Sequence, residues 1–357
     1  MKEIRMGDVL KQFGIIASVE KFGNGIINDT YLIKEAGVIL QKININVFKN
    51  PDELMENIVS VTSFLRNKIS QNGEDPNRGT LNFVKTVDGK NYYEAPNGEC
   101  FRVYRFVDKV KTIEIASSAD DMYNAGKGFG KFLSMLDDFH AENLHETIVN
   151  FHNTKARVQA LKKAIEMDPV GRVKQCKNEI DCAIEMSTIS EVVLNGLEDG
   201  SIPVRVVHND TKINNLLFDE KTGEPICVID LDTVMPGSML YDFGDAVRVG
   251  ASNTAEDDPE LSNVSFNIEK FAGFAKGYLE IAKDKLSKKE IELLAFSGQL
   301  ITYELAVRFL TDYILGDVYF KTTHDKHNLE RAKNQFTLAK DIESKMEELN
   351  NIVMNLC

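Results

Sequence analysis

The residues best placed to do chemistry fall between positions 203 and 233. His208-Asn209-Asp210-Thr211-Lys212-Ile213-Asn214-Asn215 follows the strand-like run 203–207, and Ile226-Cys227-Val228-Ile229 leads into Asp230-Leu231-Asp232-Thr233. Residues 219–225 between them carry the Gly and Pro of a turn, so 215–218 and 226–229 read as a hairpin. If Phe218 pairs near Ile226, then Asn214 and Asn215 lie opposite Ile229 and Asp230, within about 5 Å across the ladder. An amide oxygen and a carboxylate then meet beside Asp210. A hard cation such as Mg²⁺ takes a few oxygen ligands plus phosphates, which gives Asn215 and Asp230 the metal. Asp210 is left to orient and deprotonate an acceptor hydroxyl, and Asp210-x₄-Asn215 is the spacing of a kinase catalytic loop. The chemistry expected is phosphoryl transfer from a nucleoside triphosphate to a hydroxyl. His208 is read as a structural residue that holds the loop.

Such a loop needs a nucleotide-binding wall, and the N-terminal third has the elements for one. Residues 15–22, 30–34 and 38–43 read as three antiparallel strands. Between the first two lies Gly23-Asn24-Gly25-Ile26-Ile27-Asn28-Asp29, whose glycines would let backbone N–H groups approach a phosphate; a plain hairpin turn is the other reading. The third strand carries Gln41-Lys42, with Lys42 either solvated or in the place of the lysine that reaches nucleotide phosphates. After Asn50-Pro51, Leu54, Ile58, Val61 and Leu65 recur at helical spacing, and Glu53 and Glu56 are candidate partners for Lys42. Residues 81–87 and 91–93 read as a hairpin and 100–107 as a further strand, giving about five strands with one helix. Phe106-Val107-Asp108 would be a hinge whose backbone meets a purine.

From about residue 113 the pattern turns helical, with helices expected at 125–136, 158–167, 179–197, 266–279, 288–313 and 328–349. Gly126, Gly128 and Gly130 within the first cost helix propensity and point to close packing on that face. The chain has 357 residues, with Lys+Arg 42 against Asp+Glu 55, a net charge of −13. That balance argues against a general nucleic-acid or anionic-membrane binder. No apolar run near 20 residues and no signal-like start is read, so a cytoplasmic protein is expected. Five cysteines, without Cys-x-x-Cys spacing, indicate neither a disulfide framework nor a zinc site.

The loop 208–215 with Ile229-Asp230-Leu231-Asp232-Thr233 resembles the aminoglycoside phosphotransferase superfamily, whose usual form is His-Gly-Asp. Asn209 in place of that glycine, with residues 23–30, 41–44 and 241–248, is similar to the N-acetylhexosamine 1-kinase branch. The similarity runs from about residue 20 to 340. It implies an α+β, two-lobed protein-kinase-like fold, with a small antiparallel β-rich lobe at 1–107 and a larger α-rich lobe at 108–357, the nucleotide lying in the cleft. It further implies ATP and Mg²⁺ as co-substrate and cofactor, and a small sugar, N-acetylglucosamine or N-acetylgalactosamine, phosphorylated at its anomeric hydroxyl. Asp210 is then the base and Asn215 and Asp230 the metal ligands, while Gly25, Asn28, Thr30, Lys42 and Val107 are the candidate nucleotide-binding residues. Arg308 and Tyr319 would contact the sugar, and Asp232 is a further candidate. Asp242, Asp245 and Arg248 are expected to form a buried ion pair bracing the loop. One position departs from the family pattern: Ile26 stands where a histidine commonly follows the second glycine.

Two other functions stand beside this one. A kinase for an amino alcohol or aminoglycoside would need an acidic pocket for its cationic acceptor. A nucleotide-binding pseudokinase would not need Asp210, Asn215 and Asp230 together, because a binding module has no use for a base.

Overall fold

The computed structural model describes residues 4–22 and 28–357. By internal contacts the chain divides into two compact units. One comprises Met1–Thr112, Asp138–Val149 and Leu216–Pro236; the other comprises Ile113–Asp137, Asn150–Asn215 and Gly237–Cys357.

An antiparallel sheet organises the first unit. Glu20–Lys21, Asp29–Ile33, Val38–Ile43, Cys100–Arg105 and Phe83–Val84 follow one another across it, and Tyr93–Glu94 also pairs with Cys100–Arg105. Alternation sorts the faces. Val38 and Leu40, with Phe101 and Val103, pack on Val9, Leu10 and Phe13, so the opposite side of these strands carries Ile39, Gln41, Arg102 and Tyr104. The strand expected at 15–22 pairs only at Glu20–Lys21. The hairpin expected from 81–87 and 91–93 keeps its turn, where Thr86 N–H donates to Lys90 O. Its arms, however, pair with the longer strand Cys100–Arg105 and not with each other. Asn50 caps the helix Pro51–Gln71 by accepting from Glu53 N–H at 3.3 Å, and Leu54, Ile58, Val61 and Leu65 are buried as their spacing requires.

The same unit holds the central hairpin. Leu216–Asp219 pairs with Pro225–Val228 on one side and Val110–Lys111 on the other. The register is Phe218 to Pro225, Leu217 to Cys227 and Leu216 to Val228, with a bulge at Ile226, one residue off the pairing expected for Phe218. Asp219 shapes the turn by accepting from the backbone N–H groups of Lys221 and Thr222 and from Arg78. The Thr222 N–H first, then the Arg78 guanidinium, hold its carboxyl down to about 2.

Helices make the second unit. Ala119–Met135 crosses Ile268–Ala282 at backbone distance, because glycines face each other there. A Cβ on Gly126 would lie 2.2 Å from Phe274 O, and one on Gly277 would lie 2.0 Å from Tyr123 O. Gly277→Ala is therefore expected to destabilise the fold by about 1–3 kcal/mol, overpacking outweighing a helix-propensity gain of about 1 kcal/mol. The urea midpoint should fall at unchanged slope; an unchanged or raised midpoint would mean that the helices separate at little cost.

Two expected helices break. Residues 179–197 become Lys177–Glu185, a 3₁₀ segment Met186–Glu191, and Val192–Glu198, where the Ser187 and Ser190 hydroxyls donate to Ile184 O and Ser187 O and compete with the helical ladder. The last helix is His327–Ser344, followed after Lys345 by Met346–Leu356. By contrast Lys288–Leu315 is longer than expected, opened by a Ser287–Glu290 capping box and closed by Gly316 at φ 99°. Its length and composition would suffice to cross a membrane, against the sequence reading, yet 78% of its most apolar window is buried.

Candidate functional site

In the second unit, the segment from His208 to Asn215 is held from below by the helix Met239–Gly250. Asp242 accepts from the backbone N–H of His208 at 2.8 Å and of Asn209 at 2.6 Å, and Asp245 accepts from Thr211 N–H at 3.2 Å. Thr211 Oγ1 donates to Asp242 O. Arg248 pairs with Asp245 at 2.8 Å, so the three residues brace the loop as expected. Burial pushes the Asp242 carboxyl above its usual range. Burial acts the same way on Asp245, but Arg248 and Lys212 outweigh it and hold that carboxyl low.

Asn209 has φ 65°. Asn is among the few residues other than Gly that adopt left-handed backbone readily, which explains how it fills a position where glycine is usual. His208 is fully buried against Phe129 and Phe132, and its Nδ1 accepts from Asp210 N–H at 3.2 Å. Its role here is to hold the loop.

The Asp210 side chain, 24% exposed, is thereby presented with its partners set. Asn215 Nδ2 donates to its carboxylate at 3.1 Å and to its main-chain O at 2.8 Å, which turns the Asn215 amide oxygen away. Lys212 Nζ lies 2.6 Å from the other carboxylate oxygen. Burial opposes the Lys212 charge, but Asp210 and Asp245 outweigh it and keep the ammonium above its ordinary pKa. The sequence reading overlooked Lys212, although its place two residues after Asp210 was a usable signal.

The first unit carries a second polar constellation. Asp230 has φ 58° and ψ 58°, left-handed backbone that Asp and Asn adopt more readily than most residues other than Gly. Two residues on, Asp232 is 3% exposed. Its Oδ1 lies 2.5 Å from Arg102 Nη1, and its Oδ2 accepts from Asn28 Nδ2 at 2.6 Å. Arg102 also donates to Gln41 Oε1 from Nε and Nη2 at 3.0 and 2.8 Å, while Gln41 Nε2 donates to Thr30 Oγ1. Asn28 Oδ1 in turn accepts from Asn44 N–H. Asn28 and Thr30 therefore have their side chains inside this network, and Asp232 has both carboxylate oxygens engaged in it. These partners give the Asp232 side chain a place inside the first unit, and its expected contact with a sugar stays a proposal.

Lys42 departs from its expected pairing with a helix glutamate. It stands on the face of Val38–Ile43 that carries Leu40, opposite Phe101 in register, and it pairs with Glu99 and not with a helix glutamate. Glu56 pairs with His145 at 2.8 Å. The strand side chain on the other face is Gln41, and the cation there is Arg102, a residue the sequence reading passed over. A charged residue inside the apolar alternation Cys100-Phe101-Arg102-Val103 was the available signal. Val107 is buried and follows the sheet after Phe106 N–H has bonded Gly37 O. Gly25 and Ile26 lie outside the described residues.

A cavity of about 260 Å³ opens in the second unit, lined by Arg157, Arg308, Thr311, Asp312, Tyr319 and Phe320 among others. The structure thus brings Arg308 and Tyr319 to one site. The Arg308 guanidinium lies over the rings of Tyr319, Phe320 and Phe151, 5.5–5.9 Å from their centres. Tyr319 sits in a turn built by Asp312, whose carboxylate accepts the N–H groups of Val318, Tyr319 and Phe320 at 2.8–2.9 Å and the Asn328 amide at 2.9 Å. One turn before Arg308, the buried Glu304 accepts from Thr154 and meets His152 Nδ1 at 2.9 Å. The His152 ring stacks on Tyr241, next to Asp242. A continuous set of packed side chains therefore joins the cavity to the brace of the Asp210 loop.

A unit built on an antiparallel sheet, a helical unit, and a His-x-Asp-x₄-Asn loop backed by a carboxylate helix define a protein-kinase-like phosphotransferase fold. Within that class, residues 18–274 match the APH phosphotransferase enzyme family, and the chain belongs to it. Solved structures agree on the fold. A microcompartment-associated aminopropanol kinase is 14% identical, with a TM-score of 0.59 over 97% of this chain and 98% of that one. Spectinomycin phosphotransferase APH(9)-Ia, in complex with ADP and spectinomycin, is also 14% identical, with a TM-score of 0.58 over 97% and 100%. A choline/ethanolamine kinase family protein from Mesorhizobium loti is 14% identical, with a TM-score of 0.55 over 94% and 92%.

Proposed function

We propose that this phosphotransferase is an ATP- and Mg²⁺-dependent small-molecule kinase that transfers the γ-phosphoryl group to the anomeric hydroxyl of an N-acetylhexosamine. The observation that carries the reading is the character of the Arg308 cavity. Arg157 and Arg308 are its cations, and its one acid, Asp312, spends its carboxylate on three backbone N–H groups and Asn328. Such a lining suits a neutral acceptor rich in hydroxyl and carbonyl oxygens and disfavours the cationic amino alcohols and aminoglycosides. Its volume of about 260 Å³ is also small against the roughly 300–1,000 Å³ of sites for drug-sized ligands, which fits a single sugar ring.

In this mechanism Asp210 takes the proton of the acceptor hydroxyl on a carboxylate oxygen, with Asn215 and Lys212 fixing its orientation. Lys212 adds positive charge where the transferred group passes. Asn215 and Asp230 would supply hard oxygen donors of the kind Mg²⁺ takes, and the ion, when bound, would offset the charge of the phosphates. Residues 1–107 serve as the nucleotide lobe, through Asn28, Thr30, Lys42 and Val107 among the described residues, and residues 108–357 carry the acceptor site. Arg308 and Tyr319 hold the sugar.

A panel of N-acetylhexosamines, choline, homoserine and aminoglycosides with ATP and Mg²⁺, the product's phosphate located by NMR, tests the acceptor. Phosphate on a non-anomeric oxygen would overturn the sugar 1-kinase reading. Arg308→Ala should raise the acceptor KM roughly 10- to 100-fold, the range of a lost charge-assisted hydrogen bond, and leave the KM for ATP unchanged. An unchanged acceptor KM would remove Arg308 from the site.

A further inference from the structure

The buried cation of the first unit has no part in the mechanism above. Arg102 is 2% exposed, and its guanidinium spans Gln41 on the neighbouring strand and Asp232 beyond the hairpin. Burying both members of an ion pair is expensive, and such a pair is weak evidence for stability. Its placement is therefore informative. Asp232 lies two residues after Asp230, whose backbone is left-handed, and in the 3₁₀ turn Leu231–Thr233 that Asp230 opens. The other oxygen of Asp232 takes Asn28, the first described residue after the glycine loop, and Asn28 also fixes the start of the segment after the third strand through Asn44 N–H. Lys42, which the kinase pattern would put in charge of such a brace, is on the opposite face with Glu99.

We propose that Arg102 is a positioning residue for nucleotide binding: through Asp232 it fixes the turn that presents Asp230 and ties that turn to Asn28, at the head of the strand Asp29–Ile33. The inference rests on the reading of Asp230 as a metal ligand. Arg102 takes over here the bracing task that a strand lysine and a helix glutamate share in protein kinases. Arginine suits the task because its planar fork can reach Gln41 and Asp232 together. A consequence is that metal binding and nucleotide binding are coupled through one carboxylate. Removing the cation should weaken ATP binding chiefly when Mg²⁺ is present.

The test is calorimetric titration of the full chain with ATP, in Mg²⁺ and in excess chelator, for wild type, Arg102→Met, Arg102→Lys and Asp232→Asn, with circular dichroism to verify folding. Arg102→Met and Asp232→Asn should each lose about 10- to 100-fold in MgATP affinity, the span of a typical coupling, and under about threefold without metal. Arg102→Lys keeps the charge and loses the fork, so a smaller selective loss, roughly 3- to 10-fold, is expected; it decides the matter if the Met variant does not fold. The acceptor KM should stay within about twofold. Equal losses with and without Mg²⁺, wild-type affinity in the folded variants, or a raised acceptor KM in Asp232→Asn would overturn the proposal. Wild-type protein that binds no MgATP would overturn the kinase reading as well, whereas a selective loss beside an inert hexosamine panel would overturn the acceptor reading alone.

Discussion

Asp210→Asn is expected to lower turnover by roughly 10²–10⁴, the usual contribution of a positioned general base, while MgATP affinity stays within a few-fold. The change is nearly isosteric. The loop is held from its backbone by Asp242 and Asp245, and Asp210 itself contributes no bond to that brace through its side chain. An asparagine can still accept from Asn215 or Lys212 through one oxygen, so the fold should survive with a small change in melting temperature. What it cannot do is take a proton. Single-turnover phosphorylation followed alongside nucleotide binding separates the two effects, and an undiminished rate in a variant that binds ATP normally would take the base role away from Asp210.

Asp230→Asn should act on a different step. Replacing an anionic oxygen ligand with a neutral amide is expected to reduce MgATP affinity on the order of 10²-fold or more and bring turnover down with it, while ATP without metal binds as before. Asp230 sits in left-handed backbone, which asparagine tolerates as well as aspartate does, so strain is not added by the exchange. Titrating Mg²⁺ at fixed ATP measures the effect directly. Activity indifferent to this change, at any metal concentration, would remove the metal role. The contrast with Asp210→Asn is the useful one, because Asp210→Asn should leave MgATP binding and slow the chemistry while Asp230→Asn should lower MgATP affinity and turnover together.

Much of this protein was legible before its structure. The phosphotransferase family was readable from the loop 208–215 and the run 229–233, because phosphoryl transfer restricts the residue types and the short spacings that can serve it. The helix Pro51–Gln71, the strand Val38–Ile43 and the close packing at the first long helix follow from local periodicity and from propensity given up at Gly126 and Gly130. The brace by Asp242 and Asp245 was also readable, since two carboxylates and an arginine at helical spacing have few uses in an apolar stretch.

What local pattern could not settle is which neighbours each face would find. Strand alternation puts Lys42 and Gln41 on opposite sides, but only the packing of Val9, Leu10 and Phe13 on Leu40 decides that Lys42 shares the core-covered face and Gln41 the other. The same packing leaves Arg102 beside Asp232, two residues 130 positions apart in the chain, and it engages a carboxylate that sequence reading had offered to a sugar. Arg308 and Tyr319 came to one cavity because Gly316 ends the long helix and Asp312 gathers three N–H groups of the turn that follows. The sequence by itself determined the chemistry and its loop, because those depend on residue type and short spacing. Only the tertiary structure decided that Arg102 pairs with Asp232 and that Arg308 and Tyr319 line one cavity, because a side chain's neighbours across long separations are set by which face is buried and against what.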